Sequence, residues 1–429
     1  MGDLLVVSWS FPPLVMPRAI QVSRLLSALA ETGWNSNVVC VDPRLLSRKS
    51  YRLDPELEKK LHPNIRVIRK SSPEAWLLLR LIWRLFPVLE QLPDPKIVWA
   101  PVALNTCEKT ITSFATDGMV TFAQPWTDHL IGLALKKKYD LPWIAHFSDP
   151  WIDSPMMKRN GRIKQIVASM EAEVVSAADA LVFVNRQTAE AVMKKYPSEW
   201  KEKVRVIPHG YDSDAIEKIE GMRAGIPAGE KKRIRLVYSG GFYGSRTPEV
   251  ILKALSEWNR QAGGAGLFEL HLAGQNTEKF ARLADSLGLA ETVTCHGNLA
   301  FRESMQISAS ADVLVVIDPV GDEVGFFLPS KLVEYLPFRR PILALTSENS
   351  ATADLVRRTG GYITPAGDAP GVTAVLGRIY ADWQAGRLQV GAQFESVLKE
   401  YDIRYVAKDF DQLLRNVCRG EASGEKSLS

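Results

Sequence analysis

Two cations and a carboxylate give this sequence its first chemical signal. In "LPSKLVEYL", Leu328 to Leu336, Lys331 stands in the opening turn of an expected helix and Glu334 follows on the same face. A helix N-terminus already presents unpaired N–H groups and partial positive charge, so a lysine there is unfavourable unless something negative sits close. Ser330 is the expected N-cap. Either solvent hides the cost of an ordinary surface lysine, or an anionic ligand supplies the missing charge. A second cation enters from "VYSGGFYGSRTPEVILKAL", where Gly240 and Gly241 form a Gly-rich turn between a strand and a helix. Such a turn lets an anion approach the backbone, and Arg246 can hold a phosphate through two parallel hydrogen bonds. Taken alone, the segment reads equally as a tight turn with a solvated arginine. Paired with Lys331 at a second strand-to-helix connection of the same sheet, it reads as a diphosphate cradle.

"AHFSDPW" places His146 and Asp149 at the carboxyl end of a buried strand. His146 offers a ring nitrogen and a backbone carbonyl to a ligand there, or is a strand-end histidine satisfied by local backbone. Asp149 stands before a proline, where it can orient a hydroxyl, although Asp-Pro also starts turns readily, and the structural reading is the stronger one.

The elements that must position these residues are legible as short Val/Ile/Leu runs alternating with longer helical patterns. The runs are almost continuously apolar, as in parallel strands buried on both faces, so the fold class is α/β. Strands are expected at "LLVVSW", "NSNVVCV", "IRVIRK", "GMVTFAQ", "PWIAHF", "ALVFVN" and "VRVIPHG", and again at "RIRLVYSGG", "FELHLAG", "VTCHG", "ADVLVVIDP", "RPILALT" and "GGYITPA". "RAIQVSRLLSALAETG" is the first helix. With 429 residues, the chain exceeds the length at which one core stops growing. Two doubly wound domains are expected at 1–212 and 233–395, joined by a polar, Gly-containing linker at 213–232. A helix follows at 396–418, with a disordered tail at 419–429. In such sheets ligands sit outside the carboxyl ends of the strands, which is where all the candidate residues fall.

Hydrophobic residues make up 46% and charged residues 24%, ordinary globular values, and a net charge of +4 gives no footprint for nucleic acid. Cys40, Cys107, Cys295 and Cys418 are too scattered for a metal or redox motif. No leader sequence is expected before the first strand, so the expected location is cytoplasmic. The stretch "AWLLLRLIWRLFPVL" carries arginines and a proline and is too short to span a bilayer. Within it Trp76, Arg80, Trp83 and Arg84 share one helical face, which suits contact with an anionic membrane surface or, equally, a helix packed on a sheet edge. The triplets "DSD" and "DFD" do not follow strand ends, and the first strand-to-helix turn has no glycine, which argues against a nicotinamide dehydrogenase.

The order of "VYSGGFYGSRTPEVILKAL", "FELHLAG", "VTCHGNL", "ADVLVVIDP", "LPSKLVEYL" and "RPILAL" resembles the donor domain of family-four glycosyltransferases of the two-Rossmann GT-B type. "SWSFPPLVMPRAIQVSRLLSALAETGW", "PWTDHLIGLALKKKYDLPWIAHFSDPW" and "VRVIPHGYD" are similar to that family's acceptor domain. The resemblance implies two Rossmann-like domains facing each other across a cleft, acceptor-binding at 1–212 and donor-binding at 233–395. It implies transfer of a sugar from a nucleotide-diphosphate donor to a glycan or lipid-linked acceptor hydroxyl with retention, in cell-surface glycan synthesis at the membrane's cytoplasmic face, with no metal or other cofactor. In the family a glutamate, seven residues and a second glutamate contact the donor. Glu334 matches the second, while Phe326 occupies the first position and Glu323 lies just before it. Gly241 stands where the family carries an arginine, Arg246 aligns with its lysine, and Lys331 is assigned the other cation. Backbone groups of Gly325, Phe326, Phe327 and Leu328, with Ser330, complete the expected donor contacts. His146 is placed near the donor sugar, Asp149 near the acceptor. A nucleotide-sugar epimerase and a noncatalytic scaffold of the same fold stay open.

Overall fold

The computed structural model describes residues 2–46, 51–72, 84–85, 91–154, 159, 161–224, 233–242, 244–261, 266–320 and 325–419. The chain divides into two compact units, Met1–Gly210 with Ile403–Ser429, and Tyr211–Asp402.

In the first unit, seven strands form a parallel sheet of order β3-β2-β1-β4-β5-β6-β7. They are β1 Gly2–Val7, β2 Trp34–Val41, β3 Ile65–Lys70, β4 Gly118–Phe122, β5 Trp143–Phe147, β6 Ala180–Phe183 and β7 Val204–Val206. The continuous apolar run of β1 has a simple cause. Leu5 and Val7 enter the core on one face, and Leu4 and Val6 the core on the other. Period-two alternation thus feeds two separate cores, and every position must be apolar. The helix Pro17–Glu31 covers one face beside the helix Ile403–Arg419, whose Phe410, Leu413 and Leu414 are buried. This C-terminal helix lies so close to β4 that a Cβ on Gly118 would meet Cys418 Sγ.

In the second unit, six parallel strands run in the order β10-β9-β8-β11-β12-β13. These are β8 Ile234–Ser239, β9 Phe268–Ala273, β10 Val293–Gly297, β11 Val313–Ile317, β12 Ile342–Leu345 and β13 Tyr362–Thr364. Again the residues alternate between two cores, Val313, Val315 and Ile317 on one side and Leu314 and Val316 on the other. All the expected strands form, trimmed at their ends where side chains turn from the sheet into loops. The architecture is α/β with two Rossmann-like sheets. In each, strand order reverses beside the first strand, between β1 and β4 and between β8 and β11, which fixes where a ligand can enter.

The segment expected as a linker at 213–232 contains, in its described part, a helix, Ala215–Ala224, counted within the second unit. Ala215 and Ile219, one turn apart, seat it on that unit's core beside Tyr211. Residues expected as one helix at 396–418 form two, Phe394–Glu400 in the second unit and Ile403–Arg419 in the first. Beyond Arg419 the tail lies outside the described residues, as do Trp76, Arg80, Trp83 and Glu323; Arg84 is helical and exposed. Among the described residues no helix is long and apolar enough to cross a membrane.

Candidate functional site

At the reversal point of the second sheet the loop after β8 meets the helix Ser330–Tyr335. Two contacts join them, and Tyr238 braces the loop between. The Ser239 N–H, at the end of β8, donates to Tyr335 Oη at 2.8 Å. Tyr238 Oη donates to the Gly241 carbonyl at 3.1 Å, and the Tyr238 ring stacks on Phe242. The stem of Lys331 runs over Gly240, where an added Cβ would stand 3.3 Å from Lys331 Cε and 2.8 Å from Tyr238 Oη. Beneath, Gly274 has φ +132°, and a side chain there would come within 2.2 Å of the Gly240 carbonyl oxygen. Glycine is therefore required at 274 by backbone and by space.

Arg246 and Lys331 come together here. The guanidinium lies near enough to disfavour the charged ammonium, while Glu334 favours it. The largest influence is the surrounding protein, which desolvates the ammonium and lowers its pKa below the ordinary lysine value. Lys331 nevertheless stays open to solvent, so it sits in a walled recess rather than a sealed core. No described carboxylate pairs with it directly. The loop opposite is equally ordered by hydrogen bonds. Asp318, following β11, accepts from Thr346 Oγ1 at 2.6 Å, and Thr346 meets Ser350 at 2.7 Å. Ser350 caps the helix Ala351–Arg358 through the Ala353 N–H, and the Ala351 N–H donates to the Gly325 carbonyl at 2.8 Å. Burial raises the Asp318 pKa, and its hydrogen bond from Thr346 and the charge of Arg246 oppose that rise.

Gly325, Phe326, Phe327, Leu328 and Ser330 are all half-buried along this loop. The two phenylalanine rings meet edge to face at 6.2 Å, and Leu328 packs on the core. Glu334 is half-buried one turn after Lys331. One expectation is corrected: Ser330 is not the N-cap. Pro329 holds that position with φ −58° and ψ 127°, and Ser330 is already helical. The helix is also only six residues long, too short for its dipole to bind an anion, so any grip on a ligand here comes from side chains.

In the first unit His146, the fourth residue of β5, is 2% exposed. Its ring lies 5.0 Å from Phe122 and stacks on His209 at 5.7 Å and on Phe410 at 6.3 Å. Burial, then the charge of Arg18, hold its pKa well below the usual imidazole value, so the ring is neutral. Arg18 Nη1 donates to His146 Nδ1 across 3.5 Å. Asp149 is half-buried and accepts from Ser148 Oγ at 2.8 Å and Gln124 Nε2 at 3.3 Å. Desolvation raises its pKa, and these bonds together with Arg18 oppose the rise.

Residues 19–210 match the model of the glycosyl transferase 4-like domain. Over nearly the whole length, the fold matches sucrose-phosphate synthase from Thermosynechococcus elongatus, with TM-score 0.68, 17% identity, and 98% and 100% of the two chains covered. It also matches Anabaena Alr3699/HepE in complex with UDP, with TM-score 0.64, 13% identity, and 97% and 100% covered. A third is WaaG, a glycosyltransferase involved in lipopolysaccharide biosynthesis, with TM-score 0.60, 14% identity, and 96% and 99% covered. No curated protein matches in sequence. The domain match in the first unit and the two parallel sheets together give the chain the GT-B fold.

Four residues escaped sequence reasoning: Tyr335, Asp318, Arg18 and His209. For Asp318 the signal was present, an acid directly after a buried strand. Arg18 follows a proline in a helix's first turn, as Lys331 follows Pro329 by two residues, and that parallel could have exposed it.

Proposed function

We propose that this protein transfers a sugar from a nucleotide-diphosphate donor to an acceptor hydroxyl, with retention of configuration, in the assembly of cell-surface glycans. The observation that carries the reading is the approach of Arg246 to Lys331, whose stem runs over Gly240: two cations at the strand reversal, with no described carboxylate paired to the lysine. Two such charges suit a diphosphate, whose negative charge grows as the sugar departs. Groups fixed in advance around a leaving group stabilise the transition state more than the ground state. Glu334, on the same helix, is assigned to the donor's ribose hydroxyls, and Gly325 to Leu328 with Ser330 to the sugar. His146 is assigned a place near the donor sugar, and Asp149 one near the acceptor. Anabaena HepE, of the same fold, binds UDP and UDP-glucose, which supports a nucleotide sugar as donor.

The leaving diphosphate itself is assigned the role of accepting the acceptor's proton, so no separate general base is invoked. A ligand that binds only the native state raises the melting temperature, so UDP, GDP and ADP, added in turn, report the base. Stabilisation by one of them in wild type, lost in Lys331→Ala with the fold intact, is the expected result. Incubation with nucleotide sugars and an acceptor panel should then release nucleotide diphosphate. An altered sugar without release would mean an epimerase, and no nucleotide binding at all would leave a scaffold.

A further inference from the structure

A second anion site is written into the first unit. Arg18 is 7% exposed, and its Nη2 has no hydrogen-bond partner. Among the described residues its one polar contact is the 3.5 Å approach of Nη1 to His146 Nδ1. No described carboxylate pairs with it: Asp149 and Asp128 act only at longer range, and each is engaged elsewhere, Asp128 with the Trp9 N–H and Asp149 with Ser148 and Gln124. Burial lowers the guanidinium pKa to about 10, leaving it charged at neutral pH. A buried, unpaired cation is costly, and a neutral side chain of similar volume would fold more favourably. The charge therefore answers to something outside the protein.

Its surroundings say what. Arg18 lines a crevice with Gln21, Phe122, His146, His209 and Phe410, at the carboxyl ends of β4 and β5 and beyond β7. Both histidines are kept neutral by burial and by Arg18, so neither adds a competing charge. The crevice holds a cavity volume of about 10 Å³, room for one water-sized group and far too little for a sugar ring. A terminal oxyanion oxygen fits; the body of its carrier must stay outside.

We propose that Arg18 is the grip of a phosphoryl-binding subsite in the first unit, distinct from Lys331 and Arg246. A planar guanidinium with a free Nη2 is the group best matched to phosphoryl oxygens, which arrive with the charge that the crevice lacks. The phosphoryl group comes either from a phosphorylated acceptor or from the nucleotide donor. That the carrier is a substrate rests on the transferase reading; the anion site does not.

The test uses the full-length protein, with inorganic phosphate, glucose 6-phosphate and UDP titrated by calorimetry at constant ionic strength into wild type, Arg18→Gln, Arg18→Lys and Lys331→Ala. Phosphate affinity should fall at least tenfold in Arg18→Gln and Arg18→Lys and hold within twofold in Lys331→Ala. If glucose 6-phosphate binds UDP-saturated protein in an Arg18-dependent way, the source is an acceptor. If UDP itself weakens tenfold in Arg18→Gln and phosphate competes with it, the source is the donor. Unchanged affinity for all three probes in both Arg18 variants overturns the proposal. So does an Arg18→Gln protein that melts lower than wild type, because removal of a truly unpaired buried charge should leave the melting temperature equal or higher. Arg18-dependent phosphate binding without transfer from any nucleotide sugar would keep this site and refute the transferase reading.

Discussion

Lys331 Cε lies 3.3 Å from where a Cβ on Gly240 would be. That contact couples the strand end to the cation: the absence of a side chain at 240 gives the lysine its path along the loop. In Gly240→Ala the new methyl also meets Tyr238 Oη at 2.8 Å, a separation that real side chains do not tolerate. Either Tyr238 or the lysine must move. Overpacking of this sort costs about 1–3 kcal/mol. The expected result is a modest drop in stability in urea together with at least a tenfold loss of nucleotide affinity. Full affinity with the same stability loss would show that the lysine's path is irrelevant to binding.

Tyr335 fixes the same helix from its other end. Its hydroxyl accepts from the Ser239 N–H at 2.8 Å, and the ring is 4% exposed, so water cannot replace it. Tyr335→Phe keeps the shape and leaves a buried N–H unmet, which costs roughly 1–3 kcal/mol. Denaturant midpoints at unchanged slope measure that loss. Nucleotide affinity should weaken less than in Lys331→Ala, because the lysine is still present but its helix is less well held.

How much of this could be read from sequence depends on whether the cause is local. The run Leu4–Val7 announces a doubly buried strand because each residue's own apolarity is the cause. The helix Ala215–Ala224 was hidden because only Ala215 and Ile219 anchor it, too thin a stripe to stand out among Glu217, Lys218 and Glu220. Lys331 was singled out for a dipole conflict that a six-residue helix barely has. Its position proves informative for another reason, the approach of Arg246, which only the reversal between β8 and β11 creates. Arg18 could not be weighed at all, since its burial is made by Phe122, His146 and Phe410, far away along the chain.

Lys331 and Arg246 should not act independently. The arginine lowers the lysine's pKa, so the ammonium is harder to keep charged beside it. A diphosphate relieves that repulsion. In a double-mutant cycle of Lys331→Ala and Arg246→Ala, read out as UDP affinity, the combined loss should differ from the sum by about 0.5–3 kcal/mol. Additivity within error would mean that the two side chains serve separate ligands or separate ends of one.

The two buried histidines of the first unit set a pH limit on its stability. His209, like His146, is held well below the usual imidazole value of 6.5, chiefly by burial and then by Arg18. In the unfolded chain each gains a proton as the pH falls through that value, while the folded state does not. The unfolded state thus binds more protons, and stability drops on acidification by about 1.4 kcal/mol per pH unit for each histidine until the folded pKa is reached. Asp128 and Asp149 are raised by burial and work in the opposite direction over part of the same range, so the raw curve mixes both. His209→Asn separates them. Above pH 6.5 the stability difference between variant and wild type should be constant, and below it wild type should lose ground by the single-histidine slope. Parallel curves down to pH 5 would show that His209 is protonated in the fold as readily as in the unfolded chain, and that the crevice around Arg18 is wetter than its burial implies.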